Sequence, residues 1–280
     1  MSTRAVVSTA SADPRTGGMR SGAVRRWSRW AEPALVVLAL AACWQAVSVL
    51  DVLPREDFPP VTAILQALVS DLQTSELWAA VGASMEAWVL GMLVVVSIGV
   101  PVGMLLGASS ISYRMSYLTL EFVRTIPGIA ALPILLFIYG IGQDLTVSFV
   151  VLAALWPLLI QAMYGMRDVD PVAIETAKVY GVGHIRRVLL VDLPSCLPYL
   201  STGLRLSGTF ALIFAIATSL IVGGEGLGAE MARAAVVGDR PLLYARVLLT
   251  GLIGLVVALG LTTLERRTLR WHVSQRGAQS

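Results

Sequence analysis

Lysine is almost missing from this chain: Lys178 is the only one in 280 residues. Ala177 precedes it, so there is no Gly-Lys-Ser/Thr loop to cradle a nucleotide phosphate. Any ATP-driven work must be powered by another chain. Histidine occurs twice, at His184 and His272, both in polar segments and far apart in sequence. With no Cys or His spacing that fits a metal site, and no histidine in an apolar run for a hydrolytic triad, the sequence predicts no cofactor, no metal and no catalytic residue. The two cysteines, Cys43 in an apolar run and Cys196 in a polar one, read as unpaired thiols. Charge is scarce as well. Charged residues make up 14% of the chain, where a soluble domain carries about a quarter. What fills the space is apolar: 56% hydrophobic residues and a mean hydropathy of +0.76. Apolar runs of roughly 20 residues each cross a hydrocarbon core of about 30 Å as a helix, so the chain reads as an all-α polytopic membrane protein.

Taken in order, residues 1–29 are basic and rich in Ser, Ala and Gly, and read as a disordered cytoplasmic segment. The run 33–50 is too long for a signal peptide and reads as an uncleaved first membrane helix. Residues 51–77 form an outside loop with an amphipathic segment, Ile64, Leu65, Leu68, Val69 and Leu72 lying at helical spacing. The second span, 85–108, carries Gly99, Gly103 and Gly107, a stripe of small residues on which another helix can pack closely. The third, 117–139, contains Pro127 and Pro133, each of which removes a backbone hydrogen bond and is expected to kink it. Such broken helices often line a transport route; here the prolines either do so or only shape packing. Arg124 is expected to snorkel at the cytoplasmic end. Spans at 146–164, 204–222 and 242–264 complete a count of about six, in a membrane domain over residues 30–270 with a cytoplasmic tail at 271–280. The segments assigned to the inside hold fifteen basic residues and those assigned to the outside three, Arg55, Arg233 and Arg240. By the positive-inside rule both termini are cytoplasmic.

Between the fourth and fifth spans lies the polar segment 165–201, with Arg167, Lys178, Arg186 and Arg187, too charged for lipid. Asp170 and Pro171 provide an N-cap and a first-turn proline. Gly181 and Gly183 mark a turn, a second short helix is expected over 184–191, and Pro194 with Pro198 are expected to stop it.

Glu175, Thr176, Ala177, Gly181, Val191, Leu193 and Pro194 match in spacing the Glu-Ala-Ala, three residues, Gly, nine residues, Ile-x-Leu-Pro signature of permease subunits of bacterial binding-protein-dependent ABC importers. Thr176 and Val191 are the departures. The stretch from Arg124 to Gly142 resembles the sulfonate, taurine and nitrate branch of that family. The resemblance implies a MetI-like permease architecture in the bacterial inner membrane, acting as a homodimer. The implied partners are cytoplasmic ATPase subunits docked on the loop and an extracytoplasmic solute-binding protein, the solute being a small organic anion. It assigns ATPase coupling to the seven residues above, with Glu175 meeting a basic group and the small Thr176 and Ala177 permitting close approach. It also implies that Gly226-Leu-Gly228 belongs to a segment dipping back between the last two helices. The sulfonate-type branch tends to carry an arginine and a glutamate where this chain has Ala87 and Ser219. An ion-coupled secondary carrier is the alternative. Its weakness is that Glu86 and Glu121, the acids within the apolar runs, lie close to helix ends.

Overall fold

The computed structural model describes residues 21–54 and 56–269. Residues 1–20 of the N-terminal segment and all of the C-terminal tail, with His272, lie outside the described residues, as does Arg55. The chain divides into two compact units, Met1–Val61 and Thr62–Ser280.

In the first unit α1 (Ser21–Val49) is a single helix. Its apolar portion, Ala34–Val49, is shorter than the ~20 residues a perpendicular span needs. The chain after it folds back on the helix end: Trp44 Nε1 donates to the Pro59 carbonyl (3.0 Å) and Ser48 Oγ to that of Phe58 (2.8 Å).

The second unit is built of short and long helices joined by short turns over its described length. Four helices are long and apolar enough to cross a membrane, five if one bent pair counts as a span. α2 (Val61–Asp71) is the expected amphipathic segment. α3 (Ser75–Gly107) starts ten residues before the apolar run because Thr74 caps it, its side chain accepting from Leu77 N. α4 (Ser110–Thr125) and α5 (Leu132–Tyr139) are separated by a 3₁₀ turn at Gly128–Ala131, and the two directions differ by 81°. The break falls at Ile126-Pro127, where proline forces the residue before it into extended conformation (ψ 121°). The expected kink at Pro133 is corrected: this proline sits in the first turn of α5, where its missing N–H costs nothing.

α6 (Gln143–Arg167) and α9 (Leu193–Val222) form the centre of the core with α3. The glycine stripe lies against α6 as expected. A Cβ on Gly103 would run into the Leu159 carbonyl and one on Gly107 into that of Met163. Ser207 Oγ donates to the Ala154 carbonyl (2.7 Å), and Trp88 Nε1 to that of Gly208 (2.8 Å). α10 (Leu227–Val237) packs against α9, α3 and α11 (Arg240–Thr268), which is the dipping segment expected between the last two spans.

Candidate functional site

The loop between α6 and α9 is built as its residues dictate. Asp170 Oδ1 accepts from Val172 N (2.8 Å), Pro171 opens α7 (Pro171–Val179), and the helix ends on Gly181 at φ +67°. Val182 N donates to the Ala177 carbonyl (2.9 Å) and Gly181 N to that of Lys178 (3.0 Å). This pair of bonds is the Schellman closure, which requires a left-handed residue at the position Gly181 occupies. After the turn, α8 (His184–Arg187) runs into a π turn at Val188–Asp192, whose wider ring is closed by Leu193 N donating to the Val188 carbonyl, and then straight into α9. Here an expectation fails: Pro194 and Pro198 do not stop a helix. Pro194 lies in the first turn of α9 just past the π turn, where the backbone ladder is already shifted, and Pro198 is inside the helix. The carbonyl of Pro198 is taken up by the hydroxyls of Ser201 (2.9 Å) and Thr202 (3.2 Å).

The signature residues divide into two sets. Glu175 and Thr176 are exposed on α7, with Thr176 Oγ1 donating to the Val172 carbonyl (2.7 Å). Ala177 is buried, so its small size serves the packing of α7 on the protein rather than the approach of a partner. Val191 and Leu193 pack against the core cluster with Ile174, and Pro194 is half-buried. Beneath the loop Asp192 is fully buried and accepts from Arg187 Nε (3.3 Å). Around Glu175 the loop exposes Val172, Val179, Tyr180 and Ile185, the last three more than three-quarters accessible at 86%, 82% and 76%. Lys178, Arg186 and His184 are exposed among them.

Pro127 lines a cavity of about 590 Å³ between the α4–α5 break, α6 and α9; Pro133 is not among its lining residues. Arg124, expected to snorkel, lines the same cavity together with Trp156, Gln161, Tyr164 and Phe210, and its guanidinium pairs with Glu121 (2.8 Å). Ala87 and Ser219, where the sulfonate-type branch carries charged residues, are buried and do not line it.

One polar cluster has no counterpart in the sequence reading. Arg246 is 5% exposed within α11, and its guanidinium donates to Asp71 through Nε and Nη2 and to Glu230 Oε2 through Nη1 at 2.9 Å. Glu230 also pairs with Arg233, which donates to the Gly224 carbonyl (3.0 Å). An arginine inside an apolar run was the available signal, since it has to find carboxylates. That one of them is Asp71 depends on a contact between residues 175 apart.

The chain is 28% identical over 238 residues to the taurine transport system permease protein TauC of Escherichia coli (strain K12), covering 83% of this chain and 86% of that one. It is 25% identical over 248 residues to the putative aliphatic sulfonates transport permease protein SsuC of Bacillus subtilis (strain 168), covering 89% and 90%. It is 25% identical over 177 residues to the nitrate import permease protein NrtB of Leptolyngbya laminosa, covering 63% of each. Among solved structures, an inward-facing form of the MetNI methionine ABC transporter shares the fold at a TM-score of 0.58. The sequence identity is 19%, over 73% of this chain and 97% of that one. The model of the binding-protein-dependent transport system inner membrane component matches residues 99–270, from the glycine stripe through the loop to the end of α11, and the chain belongs to that family.

Proposed function

We propose that the chain is the membrane-spanning subunit of an ATP-driven importer that passes a small organic anion, delivered by an extracytoplasmic solute-binding protein, into the cytoplasm. Two copies form the pathway, and two ATPase subunits dock on the 165–201 loops. The observation that carries this reading is the face of α7 and α8. Val172, Val179, Tyr180 and Ile185 stand exposed around Glu175, on a segment whose exposed Lys178, His184 and Arg186 keep it out of lipid. Exposed apolar side chains rimmed by charge are what a protein partner covers. Glu175 would meet a basic group of the ATPase. Gly181 sets the turn that presents the face, while Ala177, Val191, Leu193 and Pro194 tie it to the core. Closure of the ATPases on ATP would shift this face and tilt the bundles, alternating access past Pro127. The anion class is supported by the taurine, sulfonate and nitrate permeases among the relatives. The loop end faces the cytoplasm on the charge asymmetry of the flanks.

The competing ion-coupled carrier would need titrating acids inside the bundle. Among the described residues the buried carboxylates Asp71, Asp192 and Glu230 are instead each paired with arginine.

The test is affinity recovery of the tagged chain from its native membrane in mild detergent. Wild type should bring down a P-loop ATPase, and Glu175→Arg should reach the membrane in equal amount without it. A well-folded preparation that recovers no ATPase would refute the importer reading.

A further inference from the structure

We infer that the cavity behind Pro127 is a transient binding site for an anion that carries an apolar tail, with Arg124 as its charge-recognising residue; this rests on the importer reading above. The cavity is polarised along α6. Gln161 and Tyr164 line it toward the C-terminal end of that helix, and Ala153 and Trp156 line it about one and a half to three turns nearer the N-terminus. Phe210 and Phe214 extend the apolar wall from α9, where Phe214 is fixed edge-on to the buried ring of Phe149 (5.2 Å). Among the described residues Arg124 is the only charged group in the lining. A cavity with one cation, one amide, one phenol and an aromatic wall selects for a single negative charge with hydrogen-bond acceptors and a short hydrocarbon part. The guanidinium fork suits the oxygens of a sulfonate or carboxylate better than a halide or a neutral solute.

Arg124 is held by Glu121 at 2.8 Å, and the two side chains are 49% and 39% exposed. An ion pair this open to solvent is weak. An incoming anion can displace the carboxylate, and the carboxylate can displace it in turn. That exchange suits a passage site, which must be favourable enough to enter and weak enough to leave.

The experiment uses the full chain in lipid nanodiscs with Cys43→Ser and Cys196→Ala, so that the only thiol is one introduced by Ala153→Cys on the cavity wall. A second reporter, Ala131→Cys, probes the opposite wall. The reagents are the anionic sulfonatoethyl and the cationic trimethylammonioethyl methanethiosulfonates. With Arg124 present the anionic-to-cationic rate ratio should be high. It should fall about fivefold in Arg124→Ala, the size expected for one charge acting over several ångströms in a partly wet site, and be kept in Arg124→Lys. Butanesulfonate should slow the anionic reagent where butanol at equal concentration does not. A ratio unmoved by Arg124→Ala at both reporters, no reaction at either, or protection by butanol equal to that by butanesulfonate would overturn the proposal. Each variant is also assayed for ATPase recovery. A wild-type chain that brings down no ATPase counts against the importer reading itself, whereas ATPase recovery with no dependence on Arg124 removes only the anion site.

Discussion

Arg246 and Asp71 meet fork to fork inside the protein: Nε donates to Oδ2 at 3.0 Å and Nη2 to Oδ1 at 3.1 Å, with the two side chains 6% and 5% exposed. The pair joins α2 to α11, and the bonds from Arg246 Nη1 to Glu230 add α10. Removing one partner strands a buried charge, which costs about 3–5 kcal/mol. Arg246→Met should therefore lower the thermal unfolding temperature of the detergent-solubilised protein markedly. Asp71→Asn alone should do so too. The double variant should be less damaged than the sum of the two singles, because they share one interaction. Strict additivity would show the pair to be energetically idle.

The turn after α7 provides a second expectation. At φ +67°, with nothing within 4 Å of the place where a Cβ would stand, Gly181 is required by backbone conformation and not by space. A β-branched residue there pays about 1–2 kcal/mol for the left-handed state, while asparagine visits that state readily. Gly181→Val should abolish uptake while leaving the protein in the membrane, and Gly181→Asn should retain most of it. Equal loss in the two would mean that the partner itself contacts this position.

Helix α3 contains its own control for the glycine stripe. Gly103 sits where a Cβ would meet the Leu159 carbonyl and the Ala162 side chain, whereas Gly82 has open space. Gly103→Ala should force α3 and α6 apart and reduce the yield of folded protein. Gly82→Ala should be neutral or stabilising by up to about 1 kcal/mol, the helix-propensity gain over glycine. Thermal unfolding of the two variants side by side decides the matter.

What could be read from the sequence was what neighbouring residues settle among themselves. Asp170-Pro171 start a helix and Gly181 closes it within a dozen residues, and both are found as expected. Ile126-Pro127 breaks the third span because the constraint acts on adjacent residues. Proline read without its position misled: Pro133 begins a helix and Pro194 lies in the first turn of one just past a π turn, where the clash that would end it is removed, while Pro198 lies inside the same helix. The orientation of Ala177, inward and not toward a partner, depends on which face of α7 meets the core. The pairing of Arg246 with Asp71 is likewise set by packing between helices 175 residues apart in sequence. The cavity at Arg124 shows the same limit, since its wall is assembled from three separate stretches of chain.

The π turn at Val188–Asp192 leaves no residue between 184 and 222 outside helical conformation. At 1.5 Å per residue that is a rod of roughly 58 Å, with Ile185 at one end and Phe210 and Phe214 on the cavity wall farther along. The π turn, Pro194 and Pro198 are the places where the backbone ladder is altered, and the chain stays helical through all three. On the proposed reading, a displacement of the docking face would reach the aromatic wall through helical backbone alone, with no loop between them, so the engine and the gate would be cut from one piece of helix.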